Sequence, residues 1–170
     1  DDYVVVFSGD LSHSGQVNEF KKSRYLIGKI ISGIKQKNGN KFVNLFMVPG
    51  NHDLCLPQNA REGKDIQEHY DNGTIEKILD AEASYLENYY LYSNAGGRVP
   101  YNLFLNKRSR DFGGYKIQFN LINTAFFSTL RPDDKELHYF PDNQISSLAR
   151  NTDTNLCITV MHHNYEWFNW

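Results

Sequence analysis

Three apolar runs set the terms for any fold of this chain, because each stops abruptly on residues that carry chemistry. Asp2 to Ser8, with the core Tyr3-Val4-Val5-Val6-Phe7, runs into Gly9-Asp10. Phe42 to Val48 runs through Pro49 into Gly50-Asn51-His52-Asp53. Asn155 to Met161 runs into His162-His163. Short, continuous apolar runs rich in β-branched and aromatic residues read as strands buried on both faces, the pattern of α/β sheets. In such sheets ligands gather beyond the carboxyl ends of the strands. The three runs therefore deliver Asp, Asn/His/Asp and His/His to one edge.

The segments between them support an alternation of strands and helices. A helix is expected from about Gln16 to Lys37, with Phe20, Leu26, Ile27, Ile30, Ile31 and Ile34 at helical spacing and Gly39 beyond its basic last turn. A second helix is expected from Ile75 to about Tyr92, capped by Asn72 or Thr74 and followed by Gly96-Gly97. Asn102 to Leu105 and Tyr115 to Asn123 read as strands joined by a charged, glycine-rich turn around Arg108 to Gly114. A short helix capped by Asp142 runs to Ala149. The alternation predicts a largely parallel α/β sheet. The polar segment from Leu54 to Asn72 has no period and could form a rim beside the strand ends. Its charges are mixed, so it names no substrate.

Length and charge bound the function. With 170 residues the chain is one domain's worth, spanning 1–170. Its 18 basic and 20 acidic residues give a net charge of −2, against gripping nucleic acid by bulk charge. No apolar run approaches the roughly 20 residues of a membrane helix. The chain opens as a strand, not as a leader. Cys55 and Cys157 form neither a disulfide framework nor a cysteine zinc site, and a cytoplasmic setting is expected. The ending Trp167-Phe168-Asn169-Trp170 needs something to pack against. That suits a segment of a longer domain; the alternative is a compact domain whose end docks on itself.

Asp, Asn and His supply oxygen and imidazole donors, a mixed set that suits Zn, Fe or Mn. A carboxylate on a glycine turn can bridge two metals roughly 3.5–4 Å apart, which clamp a phosphoryl group and activate a shared water. A neighbouring histidine that binds no metal can protonate the leaving oxygen. Each residue also has a plainer explanation. Asp10 could be a turn carboxylate or helix cap. Asn51-His52-Asp53 could be an ordinary turn. His162 and His163 could be strand-end histidines with satisfied hydrogen bonds. The coincidence of three strand ends favours a site.

Ser8-Gly9-Asp10-Leu11-Ser12-His13-Ser14-Gly15, Val48-Pro49-Gly50-Asn51-His52-Asp53 and Met161-His162-His163-Asn164 resemble the calcineurin-like metallophosphoesterase family. Its signature blocks are Asp-x-His, Gly-Asp-x-x-Asp, Gly-Asn-His-(Asp/Glu), a lone His, and Gly-His-x-His. The third block is intact here, and Asn123-Thr124-Ala125 is similar to a common family stretch. His13 stands where the second block often has Asp. No Asp-x-His precedes Asp10 and no Gly-His-x-His follows His162, as truncation at both ends would produce. The resemblance implies a two-sheet sandwich flanked by helices. It implies two transition metal ions, Mn, Fe or Zn, that activate hydroxide against a phosphomonoester or phosphodiester. It makes Asp10 the bridging ligand and Asn51 and His162 ligands of the second metal. His52 becomes the acid that contacts the phosphate, Asp53 the group that orients His52, and His13 and His163 supporting residues. A phosphate ester is the implied partner; a nucleic-acid substrate gains no support from net charge. The rival functional reading is a non-catalytic binding or scaffold module on the same fold with an incomplete metal site. A third is an unrelated α/β domain whose motifs arise by chance.

Overall fold

The computed structural model describes residues 3–55, 72–93, 104–126, 128, 135, 136, 138, 140 and 142–168. β1 (Tyr3–Phe7), α1 (Val17–Lys37) and β2 (Val43–Met47) form a strand, crossover helix and parallel strand. β1 pairs with β2 in register Val5↔Leu45 and Phe7↔Met47, so both strands end at the same edge. α2 (Asn72–Ser93) follows, then β3 (Leu105–Phe112) and β4 (Tyr115–Ile122) as an antiparallel hairpin. The short α3 (Asp142–Ile145) leads to β5 (Leu156–Val160), which lies parallel to β4.

The result is mixed α/β with two sheets, β1-β2 and β3-β4-β5. Period-two alternation along β2 builds the layers. Phe46 and Val48 face Phe119, Leu121 and Val160 of the second sheet, with the Phe46 and Phe119 rings 4.8 Å apart. Leu45 and Met47 face the helices, where Phe20 and Ile27 of α1 meet Tyr85 and Tyr89 of α2. The two sheets thus pack face to face, with α1 and α2 covering one side. On the far face of β4, buried Gln118 and Asn120 donate to the Ala149 and Leu148 carbonyls, which pays their desolvation.

Several expectations change. Alternation alone suggests a largely parallel sheet; the strands form the two sheets that the resemblance implies, one parallel and one mixed. The turn placed at Arg108 to Gly114 is mostly strand: β3 continues through Phe112 and only Gly113-Gly114 turn. A hairpin arm tolerates these charged residues as a loop would. Arg110, for example, donates to Asn44 of β2. β1 and β5 are not buried on both faces. Tyr3 and Val6, and Leu156 and Ile158, are exposed, because among the described residues each strand has a neighbour on one side only. Leu26 of α1 is likewise 57% exposed, although its spacing suits the apolar face. At the end of the described chain Phe168 is buried against Leu105, Ile122 and Phe140. Residues 56–71 of the polar segment, Gly96-Gly97, Asn102 and the cap side chains of Asn72, Thr74 and Asp142 lie outside what the structure describes. No helix among the described residues is long and apolar enough to cross a membrane.

Candidate metal centre

β1, β2 and β5 end beside one another, and their first residues beyond the strands interlock. The turn after β1 is unusual: Gly9 has φ +106° and Asp10 φ +56°. Asp is among the few side-chain-bearing residues that enter the left-handed region readily. The contact is tight enough to demand glycine on both sides. A Cβ on Gly9 would lie 2.4 Å from His162 Nδ1, and one on Gly50 would lie 2.2 Å from Asp10 Oδ1. The two glycines are the space into which His162 and Asp10 fit.

His162 joins the three strand ends. Its Nδ1 is 2.8 Å from the Ser8 carbonyl, which can only accept, so Nδ1 carries the hydrogen. In the neutral ring Nε2 is then a lone pair. It lies 3.0 Å from Asn51 Oδ1 and 3.4 Å from Asp10 Oδ1. A carboxylate oxygen, an amide oxygen and an imidazole nitrogen thus converge from three strand ends. With the Asn51 amide in this orientation, the three acceptors are satisfied by a cation between them or by a proton on the imidazole; a turned amide would instead donate Nδ2–H to Nε2. Their donor chemistry fits Mn, Fe or Zn. Among the described residues no three His, Cys, Asp or Glu side chains gather to hold a metal, so the position depends on the amide of Asn51 as its third donor.

His52 sits beside this cluster. Its backbone N–H donates to Asp10 Oδ1 at 3.2 Å, and its Nδ1 is 2.9 Å from the His13 carbonyl. That carbonyl fixes the hydrogen on Nδ1 and leaves Nε2 as the working nitrogen. The His13 ring stacks on the His52 ring, centroids 5.5 Å apart and planes within 10°.

Asp53 is fully buried, and its carboxylate serves the loops instead of the His52 ring. Oδ1 accepts from Ser12 N–H at 2.8 Å and Oδ2 from Gly50 N–H at 2.9 Å. Asp53, expected to orient His52, reaches the Ser12 and Gly50 N–H groups, and it is the His13 carbonyl that holds the His52 ring. Burial pushes the Asp53 carboxyl up to about 6, against the pull of its two backbone hydrogen bonds, with the Asp10 charge adding to the rise.

Ser12, which the sequence reading gave no role, completes the clasp. Its hydroxyl donates to the His52 carbonyl at 2.8 Å and accepts from Gly15 N–H at 3.0 Å. Nothing in the residue type marks it; only the contact across 40 residues does. His163 turns away from the donors into a buried cluster. Its N–H donates to Thr124 Oγ1 at 3.1 Å, its Nδ1 is 3.0 Å from the same oxygen, and its ring is edge-on to His162 at 4.7 Å. His138, whose Nδ1 donates to the Thr124 carbonyl at 2.8 Å, packs against it with centroids 4.1 Å apart and planes tilted by 45°. His138 stands alone in the sequence, and no motif announces it.

A sequence model of calcineurin-like phosphoesterases matches residues 1–169. No curated protein and no solved structure matches the chain. The match covers all three strand ends that build the cluster, and it implies metal-dependent hydrolysis of phosphate esters. The chain belongs to the calcineurin-like phosphoesterase family.

Proposed function

We propose that the full-length protein to which this chain belongs hydrolyses a phosphomonoester or phosphodiester, with Asp10, Asn51 and His162 holding a transition metal and His52 acting as the general acid. The observation that carries this is the convergence of three lone pairs on His162 Nε2, Asn51 Oδ1 and Asp10 Oδ1. Mn, Fe or Zn bound there supplies Lewis-acid activation of water and of the phosphoryl group. Asp10 has a second oxygen to offer a second metal, the dinuclear arrangement of the family resemblance.

The chain's own residues set the rest. The Ser8 carbonyl holds His162 so that Nε2 faces the other donors. The His13 carbonyl holds His52 in one tautomer, with Nε2 available to carry a proton to the departing oxygen. Asp53 and Ser12 bind the loop after β1 to the loop after β2, which fixes His52 relative to Asp10. We read residues 1–170 as belonging to one such domain, in a cytoplasmic setting where Cys55 and Cys157 remain thiols.

The test is hydrolysis of p-nitrophenyl phosphate and its bis ester after titration with Mn, Fe or Zn, in the wild type and in Asp10→Ala and His162→Ala. Activity should need added metal and fall by at least about a hundredfold in both variants. Metal-independent turnover, or variants as active as wild type, would remove the reading. A non-catalytic module on the same fold is the second reading. It is favoured by the donor set's single carboxylate, and is supported if metal binds with no turnover of either ester.

A further inference from the structure

Beside His52 the surface opens into a groove of about 530 Å³, walled by Asp10, Leu11, Ser12 and His13 on one side and Glu19, Lys22 and Ser23 of α1 on the other. Asn51 and His162 do not line it. The groove therefore extends from His52 and Asp10, away from Asn51 and His162. If His52 protonates the leaving oxygen, the leaving group lies along this groove, and its walls decide which leaving groups fit.

The wall presents polar and apolar surface in about equal measure, with Leu11 the single aliphatic residue among those lining it. Two charged side chains come from α1. Glu19 is already engaged: its Oε2 accepts from Ser14 N–H, Ser14 Oγ and Gln16 N–H at 2.9–3.2 Å. Those bonds, the Ser14 N–H foremost, hold its carboxyl below the usual range, and its charge is turned toward the helix start. Lys22 is exposed and makes no hydrogen bond or ion pair with another described residue. It is the cation this wall can offer to a ligand. The His13 ring, stacked on His52, also lines the groove.

We propose that this groove is the leaving-group site and that Lys22 makes the protein prefer leaving groups carrying an anionic group of their own, a small bisphosphate above the corresponding monophosphate. The proposal rests on His52 being the acid. A small molecule is favoured over a nucleic-acid strand, because one lysine beside Glu19 in a chain of net charge −2 provides no track for a polyanion.

The experiment compares ethylene glycol bisphosphate with ethylene glycol monophosphate, two alkyl esters that differ in the charge on the leaving side. In the metal-loaded wild type kcat/KM should favour the bisphosphate by roughly 3- to 10-fold at low salt, and the preference should shrink as ionic strength rises. In Lys22→Ala the ratio should fall to about two, the statistical factor for two equivalent phosphates, and in Lys22→Glu below that. Competition against p-nitrophenyl phosphate supplies a binding readout: pyrophosphate should inhibit better than orthophosphate in the wild type, and the difference should vanish in Lys22→Ala. A wild type that hydrolyses p-nitrophenyl phosphate yet shows no bisphosphate preference beyond that statistical factor overturns this inference alone, as does a preference beyond it that survives in Lys22→Ala. A single-stranded oligonucleotide that competes better than pyrophosphate overturns the choice of a small molecule. A metal-loaded wild type that hydrolyses no phosphate ester overturns the underlying phosphoesterase reading as well.

Discussion

Replacing Gly50 by Ala adds one methyl group at the point where two strand ends touch. Gly50 has φ −99°, which alanine adopts without strain, so the effect is one of space alone. The new Cβ would lie 2.2 Å from Asp10 Oδ1 and 2.5 Å from Asp10 N. Restoring the carboxylate oxygen from 2.2 Å to the 3.4 Å of ordinary contact moves it by about 1.2 Å. The Asp10 backbone, held at φ +56°, has little room to yield. Overpacking of this kind costs about 1–3 kcal/mol. For a chain of this length that lowers Tm by roughly 2–12 °C. A metal ligand tolerates displacements of about 0.2 Å, so Mn affinity should fall at least about tenfold. Circular dichroism melts of the metal-free protein and calorimetric Mn titration read the two effects. Gly28→Ala on α1 is the control, since nothing lies within 4 Å of its added methyl. It should raise stability by about 0.5–1 kcal/mol and leave Mn affinity alone. Gly50→Ala with wild-type Tm and wild-type Mn affinity would refute the claim that this glycine is the space Asp10 occupies.

Three further outcomes are expected. His52→Ala should slow hydrolysis of an alkyl phosphate by about 10²–10⁴-fold and p-nitrophenyl phosphate much less, with metal affinity retained; a loss of metal would make His52 a ligand instead of the acid. Ser12→Ala leaves the His52 carbonyl and Gly15 N–H without their hydroxyl, so kcat for the alkyl ester should fall while KM holds, and Ser12→Thr should restore part of it; an equal fall for p-nitrophenyl phosphate would point to general loosening. The Asp53 carboxyl, raised from 3.8 to about 6 in the folded chain, contributes stability that is complete below pH 3.8 and is lost as pH rises through about 6. The loss is on the order of 3 kcal/mol. Urea unfolding of the metal-free protein across that window should show the fall, and Asp53→Asn should flatten it; an unchanged slope in Asp53→Asn would assign it to other groups.

Much of the site could be read from residues because its parts are contiguous. Gly9-Asp10, Gly50-Asn51-His52-Asp53 and His162-His163 each follow an apolar run, and a parallel pair of strands must end at the same edge. The motifs therefore announce both their chemistry and their side of the sheet. The apolar run of β2 similarly announces a strand covered on both faces, by α1 and α2 and by the second sheet.

Hydrogen-bond assignment within the site needed the fold. A carboxylate next to a histidine in sequence invites pairing, yet the 3₁₀ turn at Asn51–Asp53 separates Asp53 from the His52 ring and sends its oxygens to Ser12 and Gly50. The His13 carbonyl could not be anticipated as the partner of His52, because every residue has a carbonyl and only position selects one. Exposure of β1 and β5 also depended on which strands lie beside them, something apolar content along a single strand does not encode. Local sequence determined where the chain turns and which donors it places there. The tertiary structure decided which donors meet, since β5 lies in a different sheet from β1 and β2 and convergence depends on how the two sheets pack: His162 reaches Asn51 across 111 positions and Ser8 across 154.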